Sequence, residues 1–494
     1  MKKIKINLIA STIYQCVAII YGFILPKLIL ETYGSEVNGL LQSITQFLGV
    51  IGFLDMGVGQ VVRSALYKPL EIRNTNQLSS IMVSGSKFYR KIAHALIGYV
   101  AVLLVVYPVL VNDNFDFLFA ATMILIIAVG SFTQYYFGII QEQLLHADQK
   151  SYLIYFTHIF CYIINMAGCV LMIKLGCSIH AVKLVTCLIF LAKPFFYVWY
   201  IRRKYDINWH IKCQGEPLQQ KWHGVAQHIS AVVLDGTDNI VLTLFSTLSN
   251  VSVYSVYFMI INSLNTFYQS AAVSLQSAAG HAWARQDNEN IRRMFSTVEL
   301  CLHKVTVFLF CCAGLLIVPF VRVYTIDVTD VNYIQPLFAL LLTLAYGIRC
   351  LRTPYNIWIL AAGHFKQTQK CHVIAAFLNL SISVVLVLRL GLVGIAIGTL
   401  VAMCYQTTWM MLYTTKKLIK CNIQGLIKQL LSDVLSVVLI AILAGDITLQ
   451  SVDYIGWIIM AIKIALIAVL CILLITCIFY PKEIRQFTAK VVKK

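Results

Sequence analysis

The stretch from Gln335 to Lys370, QPLFALLLTLAYGIRCLRTPYNIWILAAGHFKQTQK, decides the fold. About twenty-five of its residues form an apolar run long enough to cross a bilayer as a helix. Arg349 and Arg352 sit near its middle, three apart and therefore on one helical face. An arginine at bilayer depth costs about 3 kcal/mol by insertion scales, so it belongs where protein, water or an anion meets it. Thr353 and Pro354 follow directly, and Pro354 removes a backbone donor and loosens the helix there.

Similar apolar runs recur roughly every thirty to forty residues along nearly the whole chain. Of the 494 residues, 59% are hydrophobic and 12% charged, against about 25% charged in ordinary soluble domains. The mean hydropathy is +0.79. The runs are continuous, not alternating in short segments, which excludes a β-barrel. These features predict an all-α polytopic membrane protein. The formal charge of +18 would suit nucleic acid, but the basic residues fall into alternate loops, so no nucleic-acid partner is expected. The fifteen cysteines lie mostly inside apolar runs without Cys/His spacing, so neither a disulfide framework nor a metal or other cofactor is expected. No GxxxxGK[ST] loop for ATP is present. Met1-Lys2-Lys3-Ile4-Lys5 opens like a signal peptide, yet the following run is too long and lacks a small-residue cleavage site, so it reads as a retained first helix.

About fourteen spans follow, at roughly 7–30, 38–62, 87–111, 116–140, 152–174, 181–201, 224–247, 252–278, 299–321, 335–360, 371–389, 392–414, 430–446 and 457–479. About thirty of the 39 basic residues fall on one side and only about five on the other. Both termini are therefore expected in the cytoplasm, which requires an even number of spans. Connections on the other side are too short to fold as a domain. The loop at 202–223, with Gly215 and Pro217, bisects the first twelve helices.

An internal repeat supports that division. Shifted by about 216 residues, Gly34–Asn38 falls on Asn250–Tyr254, and Leu145–Lys150 on Ala361–Lys366. With one residue of slip, Lys174-Leu175-Gly176 meets Arg389-Leu390-Gly391. The expected architecture is two parallel six-helix lobes, 1–201 and 224–414, joined by the linker 202–223. A terminal helix pair with a basic tail fills 415–494.

The seventh span carries Asp235 and Asp238, three apart, with His228 seven residues before Asp235 on the same face. Asp55 lies two-thirds along the second span, followed by Gly57 and Gly59, with Arg63 near its cytoplasmic end. Under the repeat offset Arg349 and Arg352 fall on Thr133 and Tyr136, and Asp235 and Asp238 on Ile19 and Gly22, so this charge is peculiar to the second half. Two readings stand. The arginines and aspartates neutralise one another and fix packing, or the cations line a wet cavity for an anionic substrate while the carboxylates couple to a cation. Lys27 is placed to snorkel, and His94, His158, Lys193 and Lys463 are isolated ionisable residues without an assigned role. No catalytic constellation is present, and the chain is not expected to be an enzyme.

Several segments resemble the polysaccharide-biosynthesis flippases, the O-antigen and capsule repeat-unit translocases of the multidrug/oligosaccharidyl-lipid/polysaccharide exporter superfamily. They are Tyr33–Gly39, Phe53–Gly59, Ala65–Leu70, Thr237-Asp238 with Val251–Tyr257, and Ala361–Thr368. The resemblance covers essentially the whole chain. It implies two lobes around a cationic cavity and transfer of an undecaprenyl-pyrophosphate-linked oligosaccharide between leaflets by alternating access, coupled to H+ or Na+. Membrane lipid and other polysaccharide-assembly membrane proteins are the implied partners, in the bacterial cytoplasmic membrane. From their chemistry, Arg349, Arg352 and Arg63 are the candidate substrate-binding cations, and Asp235, Asp238 and Asp55 the candidate coupling or charge-pairing acids; the resemblance itself points only to Asp238. A drug exporter of the same superfamily would share the fold, but should present a chiefly acidic cavity. A glycan polymerase or ligase should carry a large outer loop, which is missing here.

Overall fold

The computed structural model describes residues 2–55, 58–111, 114–211, 230, 233–234, 236–285 and 288–481. Lipid offers the backbone no hydrogen-bond partner, so each apolar run must satisfy itself as a helix. Among the described residues every regular element is helical, and eleven helical stretches are long and apolar enough to cross a membrane.

The chain divides into two compact units, Met1–Ser252 and Val253–Lys494. The first holds α1 (Lys2–Gly49), a 3-10 segment at Val50–Asp55, α2 (Val58–Glu71), α3 (Thr75–Leu110) and α4 (Phe117–Thr133). A π-helical segment, Gln134–Gly138, leads into α5 (Ile139–Ala147), followed by α6 (Ser151–Lys174), α7 (Ile179–Lys204) and α8 (Asp238–Phe245). α9 (Leu248–Ala284) leads into the second unit, which continues with α10 (Asn288–Tyr324), α11 (Pro336–Leu351), α12 (Thr353–Ala361), α13 (Phe365–Leu390) and α14 (Leu392–Tyr413). After a second π segment, Thr414–Leu418, come α15 (Ile423–Ala444) and α16 (Tyr454–Phe479).

α1 contains the first expected span and the beginning of the second, separated at Gly34, whose φ of 85° and ψ of 174° break the helix. Such a φ favours glycine, which has no Cβ to clash. The second expected span is not one continuous helix: α1 stops at Gly49, and the 3-10 segment carries Asp55 at its end. Other helices overrun their apolar cores. α3 begins at Thr75 and α10 at Asn288, about a dozen residues before the expected boundaries, because charged residues continue a helix as readily as apolar ones. Of the seventh expected span, residues 224–229, 231–232 and 235 lie outside the described residues, and α8 covers 238–245.

The two units repeat one plan. α3 and α10 have 36 and 37 residues, α5 and α12 nine each, and α6 and α13 24 and 26. Left-handed corners fall at Gln149 (φ 55°) and Gly363 (φ 70°), and again at Gly176 (φ 70°) and Gly391 (φ 53°). The Gly176–Gly391 match agrees with the sequence alignment. The other corner corrects it by two residues: Gln149 answers Gly363, not Phe365. Backbone conformation fixes that register, whereas the 216-residue offset pairs Lys150 with Lys366.

In the first unit, α8 lies on the second half of α1, tied by Ser43 and Thr243 (2.7 Å) and by Gln46 Nε2 donating to the Gly236 carbonyl (2.6 Å). In the second unit, α15 and α16 pack on α10 through Val307, Leu316, Ile440, Met460 and Ile464. Trp457 Nε1 donates to the Leu316 carbonyl at 3.2 Å, which holds the terminal pair against that helix.

Candidate functional site

The span quoted first is interrupted at its arginines. α11 ends at Leu351 and α12 begins at Thr353, with Arg352 between them. Pro354 lies in the first turn of α12, a position where its missing N–H forfeits no intrahelical bond. The Arg352 N–H is shared between the carbonyls of Arg349 (3.2 Å) and Ile348 (3.3 Å), as happens where one helix ends. The Arg349 guanidinium lies 5.6 Å from the Tyr346 ring centroid, a cation–π distance. Arg352 is within electrostatic reach of Cys371 and His372 on α13, and His372 Nδ1 lies 2.8 Å from Gln406 Nε2. Thr407 donates to the Ile348 carbonyl at 3.1 Å, which braces α11 against α14 just before the break. Both arginines are half-buried. Each planar guanidinium fork has the geometry to bond a pair of phosphate oxygens.

The candidates of the first unit are arranged differently. Asp55 accepts a hydrogen bond from Tyr89 at 2.8 Å, and Arg63 Nε donates to Gln143 Oε1 at 2.9 Å. A Cβ on Gly59 would stand 3.2 Å from both the Gln143 amide and the Tyr89 hydroxyl. That glycine therefore lets α2 approach both partners. Asp55 and Arg63 are thus each held by a neutral side chain.

Asp238 opens α8 and is 5% exposed. It belongs to the first unit with Asp55 and Arg63, whereas Arg349 and Arg352 belong to the second. Asp235 and His228 lie outside the described residues.

The structure also assembles a buried polar chain that the sequence analysis passed over. Asp433 on α15 accepts from Lys304 Nζ (2.9 Å) and Gln429 Nε2 (3.0 Å) on one oxygen, and lies 2.6 Å from His303 Nδ1 on the other. His303, fully buried, has its Nε2 3.3 Å from the Tyr355 hydroxyl, which donates to Glu299 at 2.5 Å. Two acids thus meet a lysine and an imidazole across α10, α12 and α15, the pairing that buried ionisable groups require. The available signal was an ionisable residue inside an apolar run, at His303, Lys304 and Asp433. Each looks isolated in one dimension.

No protein-family model matches the sequence, and no curated protein matches it. Solved structures do. The lipid II flippase MurJ, in an inward closed conformation, is 16% identical with a TM-score of 0.71, and the match covers 97% of this chain and 99% of that one. An inward-facing multidrug resistance MATE transporter of the MOP superfamily is 12% identical with a TM-score of 0.63, covering 82% and 97%. A MOP superfamily transporter from Pyrococcus furiosus, described as having a binding pocket of reverse polarity, is 12% identical with a TM-score of 0.58, covering 85% and 95%. Over nearly its whole length, this polytopic membrane chain carries the fold shared by a lipid II flippase and the MATE transporters of the MOP superfamily.

Proposed function

We propose that this chain is a flippase. It moves oligosaccharide repeat units, joined through pyrophosphate to undecaprenyl lipid, from the inner to the outer leaflet of the bacterial cytoplasmic membrane for surface polysaccharide assembly. The observation that carries this reading is the pair Arg349 and Arg352 at the interruption of a membrane-spanning helix. A pyrophosphate diester is anionic on both phosphates, and its passage through a low-dielectric region requires cations along the way. The sugar head needs a wet polar route, while the polyprenyl tail remains in lipid. The lobes 1–201 and 224–414 are the bodies that alternate access, with 202–223 linking them and 415–494 alongside. Asp55, Asp235 and Asp238 are the candidates for coupling to H+ or Na+, and Arg63 is a further candidate cation. The basic loops support a cytoplasmic position for both termini. Other membrane proteins of polysaccharide assembly would supply and receive the substrate.

Export of cationic drugs is the second reading, supported by the MATE likeness. Two arginines inside a span oppose it, because they would repel such a substrate. The reverse-polarity pocket described for the Pyrococcus furiosus transporter supports the view that pocket charge on this fold follows the cargo.

Depletion of the protein followed by lipid analysis tests the proposal. Lipid-linked repeat units should accumulate on the cytoplasmic leaflet. Normal export with raised drug sensitivity would overturn it in favour of the exporter. Orientation is tested with single cysteines at Gly215 and Ser451 in a cysteine-free background. Only Ser451→Cys should label from outside intact cells.

A further inference from the structure

A second cationic site lies wholly inside the first unit. α3, the π segment with α5, and the end of α7 with the residues after it enclose a cavity of about 550 Å³. Among the described residues, Lys87, Arg90, Arg202 and His210 line it with one acid, Asp206. Its position is set by sequence: Lys87 and Arg90 precede the apolar part of α3, and Arg202 closes α7, so the cavity sits where the helices leave the hydrocarbon. The Arg90 guanidinium is held 4.9 Å from the Tyr136 ring centroid, which orients one cation on the wall.

The outer wall is built, not draped. Tyr205 donates to Asp148 Oδ2 at 2.5 Å and accepts from Lys150 Nζ at 3.0 Å. Burial and the adjoining Asp148 carboxylate push the Tyr205 phenol above its ordinary range, so it remains a donor. Asn208 N–H donates to Ser79 Oγ at 2.9 Å, and Ile207 and Trp209 pack on the core of the unit. These ties fasten 205–209 to α3 and to the corner between α5 and α6.

A separate observation points to a ligand. Gln141 lines the cavity and is 6% exposed, yet its Oε1 has no hydrogen-bond partner among the described residues. A buried amide oxygen normally has a donor, and here the cavity is where one would stand. Cations call for a phosphate and the amide oxygen calls for a hydroxyl. Phe195 and Trp199, 54% and 50% exposed on the membrane part of α7, offer apolar surface within one to two turns of Arg202.

We propose that this cavity binds a phosphodiester bearing free hydroxyls, supplied by the headgroup of an anionic glycerophospholipid whose acyl chains lie along Phe195 and Trp199. Basic pockets between helices at the cytoplasmic boundary suit such headgroups. The site is independent of the transport reading above.

The test uses the full chain in nanodiscs. Bound phosphatidylglycerol is counted by native mass spectrometry against a phosphatidylcholine background, with soluble glycerol 1-phosphate titrated in a second arm. The wild type should retain phosphatidylglycerol selectively. Arg90→Ala with Arg202→Ala should weaken retention about 25-fold, near fivefold for each cation removed. Gln141→Leu should lower the preference for phosphatidylglycerol over phosphatidic acid, which lacks the glycerol diol. If the arginine pair fails to accumulate, Lys87→Gln, at an exposed residue, reads the same question with a fivefold loss. Displacement by millimolar glycerol 1-phosphate would reassign the site to a soluble phosphate and overturn the lipid source. Equal phosphatidylglycerol retention by wild type and variants would overturn the site altogether.

Discussion

Each unit carries an irregularity in a membrane-spanning stretch just before a nine-residue helix, made by different chemistry. In the first unit α4 passes into α5 through the π segment Gln134–Gly138. In the second, α11 passes into α12 at Arg352, next to Pro354. Both breaks precede a nine-residue helix. What they present differs. The first shows Gln134, which donates to Glu142 at 3.1 Å, and Tyr136 beneath Arg90. The second shows Arg349 and Arg352. The irregularity in the helix is therefore common to both units, and the charge placed on it is a separate choice. Function on a duplicated fold is then read from where the halves disagree.

The largest effect that bears on this contrast is expected from Arg352→Ala. If the cation meets phosphate, surface polysaccharide should fall about a hundredfold, within the 2–5 kcal/mol that truncating one side of a charge pair costs. Protein level should hold. Arg352→Lys should recover part of the activity, since a point charge lacks the fork. Loss of the protein itself, measured by immunoblot, would make the arginines packing elements.

Asp433→Ala comes next. It strands His303 and Lys304 in the second unit, and about 3–5 kcal/mol of destabilisation is expected, read as a drop in thermal stability in detergent. Asp433→Leu combined with His303→Leu and Lys304→Met should restore much of it. Failure to do so would show that the chain serves more than packing.

A smaller effect separates the two hairpins that follow the breaks. Gly394 and Gly398 form a GxxxG face on α14, and a Cβ at Gly398 would come within 2.8 Å of the Ser383 amide nitrogen and 3.0 Å of the Asn379 carbonyl on α13. Gly398→Ala should cost about 1–3 kcal/mol. On the α6–α7 hairpin, a Cβ at Gly168 would meet side-chain methyls alone, Val185 at 3.1 Å and Ile189 at 3.7 Å, so Gly168→Ala should cost under about 1 kcal/mol. Equal melting shifts would erase the distinction.

Pro354→Ala should matter least, within about 1 kcal/mol, because proline in a first turn gives up no intrahelical donor. If export nonetheless fell as far as in Arg352→Ala, the interruption of the helix and not the charge would carry the difference between the halves.

Much of the fold was legible because lipid permits so little. Continuous apolar runs had to be helices. The second break was visible in Pro354, whereas the first was not, since nothing in Gln134-Tyr135-Tyr136-Phe137-Gly138 announces an extra residue in a helical turn. Asp55 and Arg63 were visible as charges, but their neutral partners Tyr89 and Gln143 come from other helices. The chain through Asp433 escaped for the same reason. A polar residue in an apolar run is conspicuous, and the identity of its partner is a fact of packing.

The tie between α10 and α15 has a consequence for how the molecule is made. Lys304 and Asp433 are separated by 129 residues. At about 5–20 residues per second, the ribosome delivers the carboxylate roughly ten seconds after the lysine and histidine. For that interval α10 enters the membrane with its bases unmatched by Asp433. A chain that ends before Asp433 stays in that condition for good. Assembly of the second unit is therefore gated by its last helices. A nascent chain stalled or cleaved ahead of them leaves Lys304 without the carboxylate that pairs it in the finished unit.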